Sequence, residues 1–107
     1  MRDDRLRVAD MLESLERIRS FVAGGRSLYF GDTKTQVAVA YEVLKLGEAA
    51  NGASSEFRRS HPGVPWRWLV ALRNEMVHEY FRIDADAIWE FIETELVPLE
   101  RALRGMG

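Results

Sequence analysis

The sequence predicts an all-α protein, an up-and-down bundle of four long helices with a short extra helix between the second and third. Three observations predict it. Apolar residues recur at helical spacing in four segments, Gly- and Pro-containing breaks separate those segments, and no stretch alternates polar and apolar side chains convincingly. The 107 residues are expected to form one domain over 1–107, enough chain for a single core.

The first helix is expected from about Asp4 to Val22, with Val8, Met11, Leu12, Leu15, Ile18 and Val22 on one stripe. Gly24-Gly25 ends it, and SLYFGD reads as a short linker. Asp32 can cap a second helix over about 33–51. Val37, Tyr41, Leu44 and Glu48 form one line along that helix, while Val39, Val43 and Leu46 lie elsewhere around it. A helix apolar on several sides is central or shared with a partner, and Tyr41 is expected in the core. SSEFRR (54–59) fits a short helical turn, and HPGVP (61–65) is a breaker cluster. Pro65 suits the first position of a third long helix reaching about Phe81, because its missing N–H costs nothing there. The fourth is expected over about 84–103 with Asp84 as cap and Ile88, Ile92, Leu96, Leu99 and Leu103 on one face. Pro98 should kink it.

Composition narrows the function classes. Hydrophobic residues make up 47% and charged residues 30%, which is ordinary for a folded chain in water. No apolar run approaches the ~18 residues of a membrane span, and MRDDRLRVADML does not read as a signal peptide. Without Cys, disulfides and thiolate metal sites are excluded, and two His make a His-rich metal site unexpected. No metal or cofactor is expected, and the cytoplasm is the expected compartment. The net charge is −2, whereas general nucleic-acid coat proteins are basic. Yet residues 57–73 hold Arg58, Arg59, Arg67, Arg73 and His61 with no acid. That segment can attract phosphate on an acidic chain, or it is a solvated loop and helix start.

The third long helix is the unusual one. On a wheel of about 100° per residue, Trp66, Leu69, Val70, Met76, Val77 and Tyr80 fall within about 60° of Arg73. An Arg at the centre of an apolar face must be paired or must line a wet pocket. Glu48, equally out of place on its own apolar line, is a candidate counter-ion. Two readings stay open: an Arg73–Glu48 ion pair that fixes helix register, or an Arg held ready for a phosphate. Arg67, Asn74 and His78 form a second stripe at about 100° to 140° from Arg73, with Ala71 between them. His78 has the side chain suited to proton transfer near neutral pH, and Asn74 lies one turn before it. One His per chain is thin for acid–base chemistry, but a two-fold dimer would bring two together.

The remaining candidates are weaker. His61, before Pro62, serves the loop. Trp66 and Trp68 lie on different faces, which suits one core and one interface residue better than a base-stacking pair. Gly47 allows close helix packing. The acids from Asp84 to Glu95 look like a helix start and a solvated face.

RNEMVHEY (73–80) has Arg, four residues beginning with Asn, His, one residue, then Tyr. The chain resembles the HEPN superfamily, and specifically HepT-like toxins, whose signature this is. The likeness extends through HPGVPW before the motif, IWEFIETELVPL after it, and GEAAN on the second helix. One departure is Glu79, where many relatives carry Gly.

The resemblance implies a dimer with two motif copies facing a cleft, acting as a metal-independent endoribonuclease. It implies Arg73, Asn74 and His78 as catalytic residues. It also implies a toxin–antitoxin pair whose partner is an MntA-type minimal nucleotidyltransferase that adds AMP to the motif Tyr, here Tyr80. Arg67, Arg58 and Arg59 would then contact RNA phosphates, and Glu48 would be a structural counter-ion. Relatives of this shape also suggest an alternative, a non-catalytic subunit that presents a substrate to a nucleotidyltransferase.

Overall fold

The computed structural model describes residues 3–78 and 84–106. Among them the chain is helical, with no strand, in the order α1 (Asp4–Phe21), α2 (Arg26–Gly31), α3 (Thr33–Gly52), α4 (Ser55–Ser60), α5 (Trp66–His78), α6 (Ala85–Thr94) and α7 (Leu96–Arg104). The all-α expectation holds, and the arrangement is compatible with a bundle.

Caps fix where the helices begin. Asp3 accepts from the Arg5 N–H at the start of α1, Asp32 from the Lys34 N–H at α3, Ser54 from the Phe57 N–H at α4, and Asp84 from the Ala87 N–H at α6. Pro65 sits one position before the expected one. Its carbonyl accepts from the Leu69 N–H at 3.0 Å, so α5 begins at Trp66.

Helix α1 runs antiparallel to α3. Asp4 accepts from the Ser54 N–H at 2.8 Å and the Ser54 hydroxyl at 2.7 Å, and Arg17 reaches Glu42 at 3.8 Å. Met11, Leu15 and Ile18 of α1 are fully buried, as their stripe predicts. Helix α3 packs against α1, α2, α5 and α6, so the central placement inferred from its several apolar sides is correct.

Three expectations need correction. SLYFGD is not a linker: α2 forms there and buries Tyr29 completely, where its hydroxyl donates to the Ala85 carbonyl at 3.0 Å. Six residues are too few to display a helical period, so only the aromatic pair Tyr29-Phe30 signals burial. Tyr41 is not core. It is 59% exposed and Val37 50%, while Val39, Val43, Leu46 and Ala50 supply the inward line of α3. The fourth long helix is divided in two by a one-residue interruption at Glu95. Pro98, the third residue of α7, has no N–H for the Thr94 carbonyl, and its ring crowds that carbonyl. The chain therefore separates into α6 and α7 at Glu95, four residues before Leu99. The expected face is nonetheless kept: Ile88, Leu96, Leu99 and Leu103 are buried and Ile92 packs at the edge.

Candidate functional site

The site is built where α3 meets α5. Gly47 of α3 faces Arg73 of α5. A Cβ on Gly47 would lie 2.4 Å from the Arg73 Cβ and 3.0 Å from the Leu69 carbonyl oxygen. The missing side chain is the gap that lets an Arg occupy the apolar face of α5. Arg73 emerges past Gly47 and meets Glu48: its Nε donates to Glu48 Oε1 at 2.5 Å. Its Nη1 donates to Asn74 Oδ1 at 2.9 Å.

The Arg73–Glu48 pair forms, but it is not buried: Arg73 is 28% exposed and Glu48 49%. A pair this wet contributes about 0–1 kcal/mol to stability. Its larger effect is geometric, since two oxygens grip one guanidinium from two sides. Nη2 makes no hydrogen bond to any described residue. Asn74 turns its oxygen to Arg73, and its amino group makes no hydrogen bond to any described residue.

Position 78 closes α5, one turn after Asn74, so the backbone places Arg73, Asn74 and His78 along adjoining strips of one helix. The His78 side chain and the whole of Tyr80 lie outside the described residues. Arg67 is exposed in the first turn of α5, on the same strip as Asn74. Arg58 is already engaged: its Nε donates to the Ala53 carbonyl at 3.0 Å and its Nη2 to the Asn51 carbonyl at 3.2 Å. It covers the C-terminal carbonyls of α3, as a cation near a helix C-terminus does. Arg59 is exposed on α4, at the N-terminal end of α5, where Phe57 and Trp66 meet edge to face at 5.9 Å. Helix α5 thus brings Arg73, Asn74 and position 78 together, and leaves Arg58 and Arg59 at its other end.

His61 serves the loop, as read from the sequence. Its Nδ1 lies 2.9 Å from the Phe57 carbonyl, and its own carbonyl accepts from the Trp66 indole N–H at 2.9 Å. Trp66 is buried and Trp68 is 41% exposed. Sequence reasoning did not find the groove that these Trp residues line beside Arg67, because the groove depends on how the 62–65 loop folds back. Among the described residues no group of three or more His, Asp or Glu side chains could hold a metal. Among the described residues no helix is long and apolar enough to cross a membrane.

The sequence model of the Ribonuclease HepT-like family matches residues 11–106. The chain belongs to that family. It is 32% identical over 95 residues to a protein of Thermococcus cleftensis named "Probable ribonuclease HepT", covering 85% of this chain and 84% of that one. It is 27% identical over 104 residues to "Putative RNase MJ1380" of Methanocaldococcus jannaschii, covering 94% and 93%. A second protein of that organism, "Putative RNase MJ0127", is 32% identical over 92 residues, covering 85% and 76%. No solved structure matches significantly. In this HepT-like chain the matched region includes every element of the site, from Gly47 and Glu48 through Arg73, Asn74 and His78.

Proposed function

We propose that the chain is a metal-independent endoribonuclease, the toxin of a HepT/MntA-type pair, and that it cleaves RNA in a cleft between two copies. The observation that carries the reading is Arg73, held by Glu48 and Asn74 with Nη2 making no hydrogen bond to any described residue, on a chain of the HepT-like ribonuclease family.

Transesterification of RNA forms a bond from the 2′-oxygen to phosphorus and breaks the bond to the 5′-oxygen. One group must take the 2′-OH proton and another must give a proton to the leaving 5′-oxygen. Cations must meet the charge that grows on the non-bridging oxygens. Arg73 is the cation, and its planar fork suits two phosphate oxygens. His78 moves the proton. Asn74 orients His78 or the substrate with its amino group. A dimer supplies two His78, one as base and one as acid.

Support for the dimer comes from the helices that carry the site. Val37 and Tyr41 on α3 are 50% and 59% exposed, and Val77 on α5 is 40% exposed. Apolar side chains at these positions suit a two-fold contact that would bring the motifs together.

The partner is an MntA-type minimal nucleotidyltransferase. AMP on Tyr80, two residues after His78, would add bulk and negative charge where RNA phosphate must approach. The test is the end chemistry of RNA incubated with the purified protein in EDTA. The reading predicts fragments with 2′,3′-cyclic phosphate and 5′-hydroxyl ends. Intact RNA, from protein whose Tyr80 is shown unmodified by mass spectrometry, would favour a non-catalytic binding subunit instead.

A further inference from the structure

We propose that the groove between the 62–65 loop and the first turns of α5 is a nucleotide subsite, where Trp68 stacks an unpaired RNA base and Arg67 holds its phosphate. This rests on the ribonuclease reading and extends it to the substrate beyond the scissile bond.

The groove is shallow and open to solvent, spans about 590 Å³ and is lined by Pro62, Pro65, Trp66, Arg67, Trp68 and Ala71 among others. Its walls are flat and apolar, with one cation and no acid. That combination suits a nucleotide, which has an aromatic face and an anionic backbone, better than it suits an ordinary peptide. Trp68 is 41% exposed yet fixed in place: its ring stacks on Phe91 with centroids 5.4 Å apart and planes 21° from parallel. A platform already immobilised loses little entropy when a base lies on it. Arg67 is exposed and makes no hydrogen bond or ion pair with any described residue. Residues 57–73 contribute no carboxylate to the groove lining.

Position links the groove to the chemistry. Arg67, Ala71, Asn74 and residue 78 share one strip of α5, and Trp68 lies beside it next to Ala71. At 1.5 Å per residue, Trp68 is about 15 Å along the axis from position 78, and Arg67 about 9 Å from Arg73. A single strand of a few nucleotides covers that distance. Its phosphates would run from Arg73 toward Arg67 while a base turns aside onto Trp68.

The test uses the intact protein with His78→Ala, to keep the RNA whole, and a fluorescein-labelled unstructured 12-nucleotide RNA read by anisotropy. Trp68→Ala should weaken binding about tenfold, and Trp68→Phe should restore most of it. Ala71→Leu adds bulk to the groove from an exposed helix position and leaves the Trp68 and Phe91 side chains unaltered. It should weaken binding comparably, and it carries the test if Trp68→Ala alters the thermal midpoint. RNAs with single abasic positions should show one site whose base matters to the Trp68 protein and not to Trp68→Ala.

Unchanged affinity in Trp68→Ala and Ala71→Leu, while the protein with His78 intact still cleaves RNA, would overturn the subsite and leave the ribonuclease reading standing. Protein with His78 intact that neither binds nor cleaves RNA would overturn both. A change in oligomeric mass without loss of RNA affinity would assign the groove to a protein contact and overturn the proposal.

Discussion

Replacing Gly47 with Ala tests whether the close approach of α3 and α5 is what seats Arg73. The new Cβ would lie 2.4 Å from the Arg73 Cβ and 3.0 Å from the Leu69 carbonyl oxygen. Carbon atoms settle at about 3.5–4.0 Å, so the helices must part by roughly 1 Å. Both Cβ atoms are fixed to their backbones, and no rotamer relieves the clash. Overpacking costs about 1–3 kcal/mol, and rigid neighbours place this case near the upper end. Ala gains about 1 kcal/mol over Gly in helix propensity. The net loss is about 2 kcal/mol, or a fall of roughly 10 °C in Tm for a domain of this size. A displacement of about 1 Å at Arg73 should also lower RNA cleavage on the order of 100-fold. Circular dichroism melts and cleavage rates on the same preparation give both readings. Gly52→Ala is the comparison: its Cβ would meet the Arg7 Cζ at 2.3 Å, but that is the end of a flexible side chain that can swing aside. An unchanged or raised Tm with full activity in Gly47→Ala would refute the reasoning.

Other perturbations separate positioning from stability. Glu48→Gln removes a half-exposed ion pair, so stability should fall by no more than the ~1 kcal/mol of a surface pair, while RNA cleavage falls about tenfold or more; equal small effects on both would make Glu48 a packing residue only. Tyr29→Phe loses the hydrogen bond to Ala85 and should cost about 1 kcal/mol, seen in denaturant melts. Burial, aided by Asp86 and Asp84, pushes the Tyr29 phenol up to about 12 from 10.0. A raised value in the folded state means stability that is full below pH 10 and lost as pH rises toward 12, and Tyr29→Phe should flatten that decline. The Ser54 N–H and hydroxyl hold the Asp4 carboxyl below its ordinary 3.8, helped by Arg58 and Arg7. A depressed value acts in the opposite sense. The Tm advantage of Asp4 over Asp4→Asn should be present above pH 3.8 and vanish as pH falls through the lower folded value.

What the sequence made legible follows from length and chemistry. Helices of ten or more residues, such as α1 and α3, repeat their apolar pattern often enough to be read, and Asp32 marks where α3 starts. Arg73 and Glu48 stood out because each interrupts an apolar line, and Gly47 explains how the interruption is accommodated. Two apolar lines on α3 could not be ranked from the sequence. The inward one is chosen by small residues, Gly47 and Ala50, that let neighbours approach, and these carry little hydrophobic signal of their own. Pro98 announced a fault in the last helix, but the break falls at Thr94 and Glu95, because the lost partner is the carbonyl four residues earlier. The groove beside Arg67 was illegible, since it forms between a loop and a helix that have no common period.

The most direct measurement is single-turnover cleavage of an end-labelled RNA in EDTA by the protein with unmodified Tyr80, beside Arg73→Ala and His78→Ala variants whose melts are recorded. The account predicts cleavage by the unaltered protein. Each variant should lose about 100-fold or more in rate, while its Tm stays within a few degrees. Cleavage at the unaltered rate by either variant would contradict it.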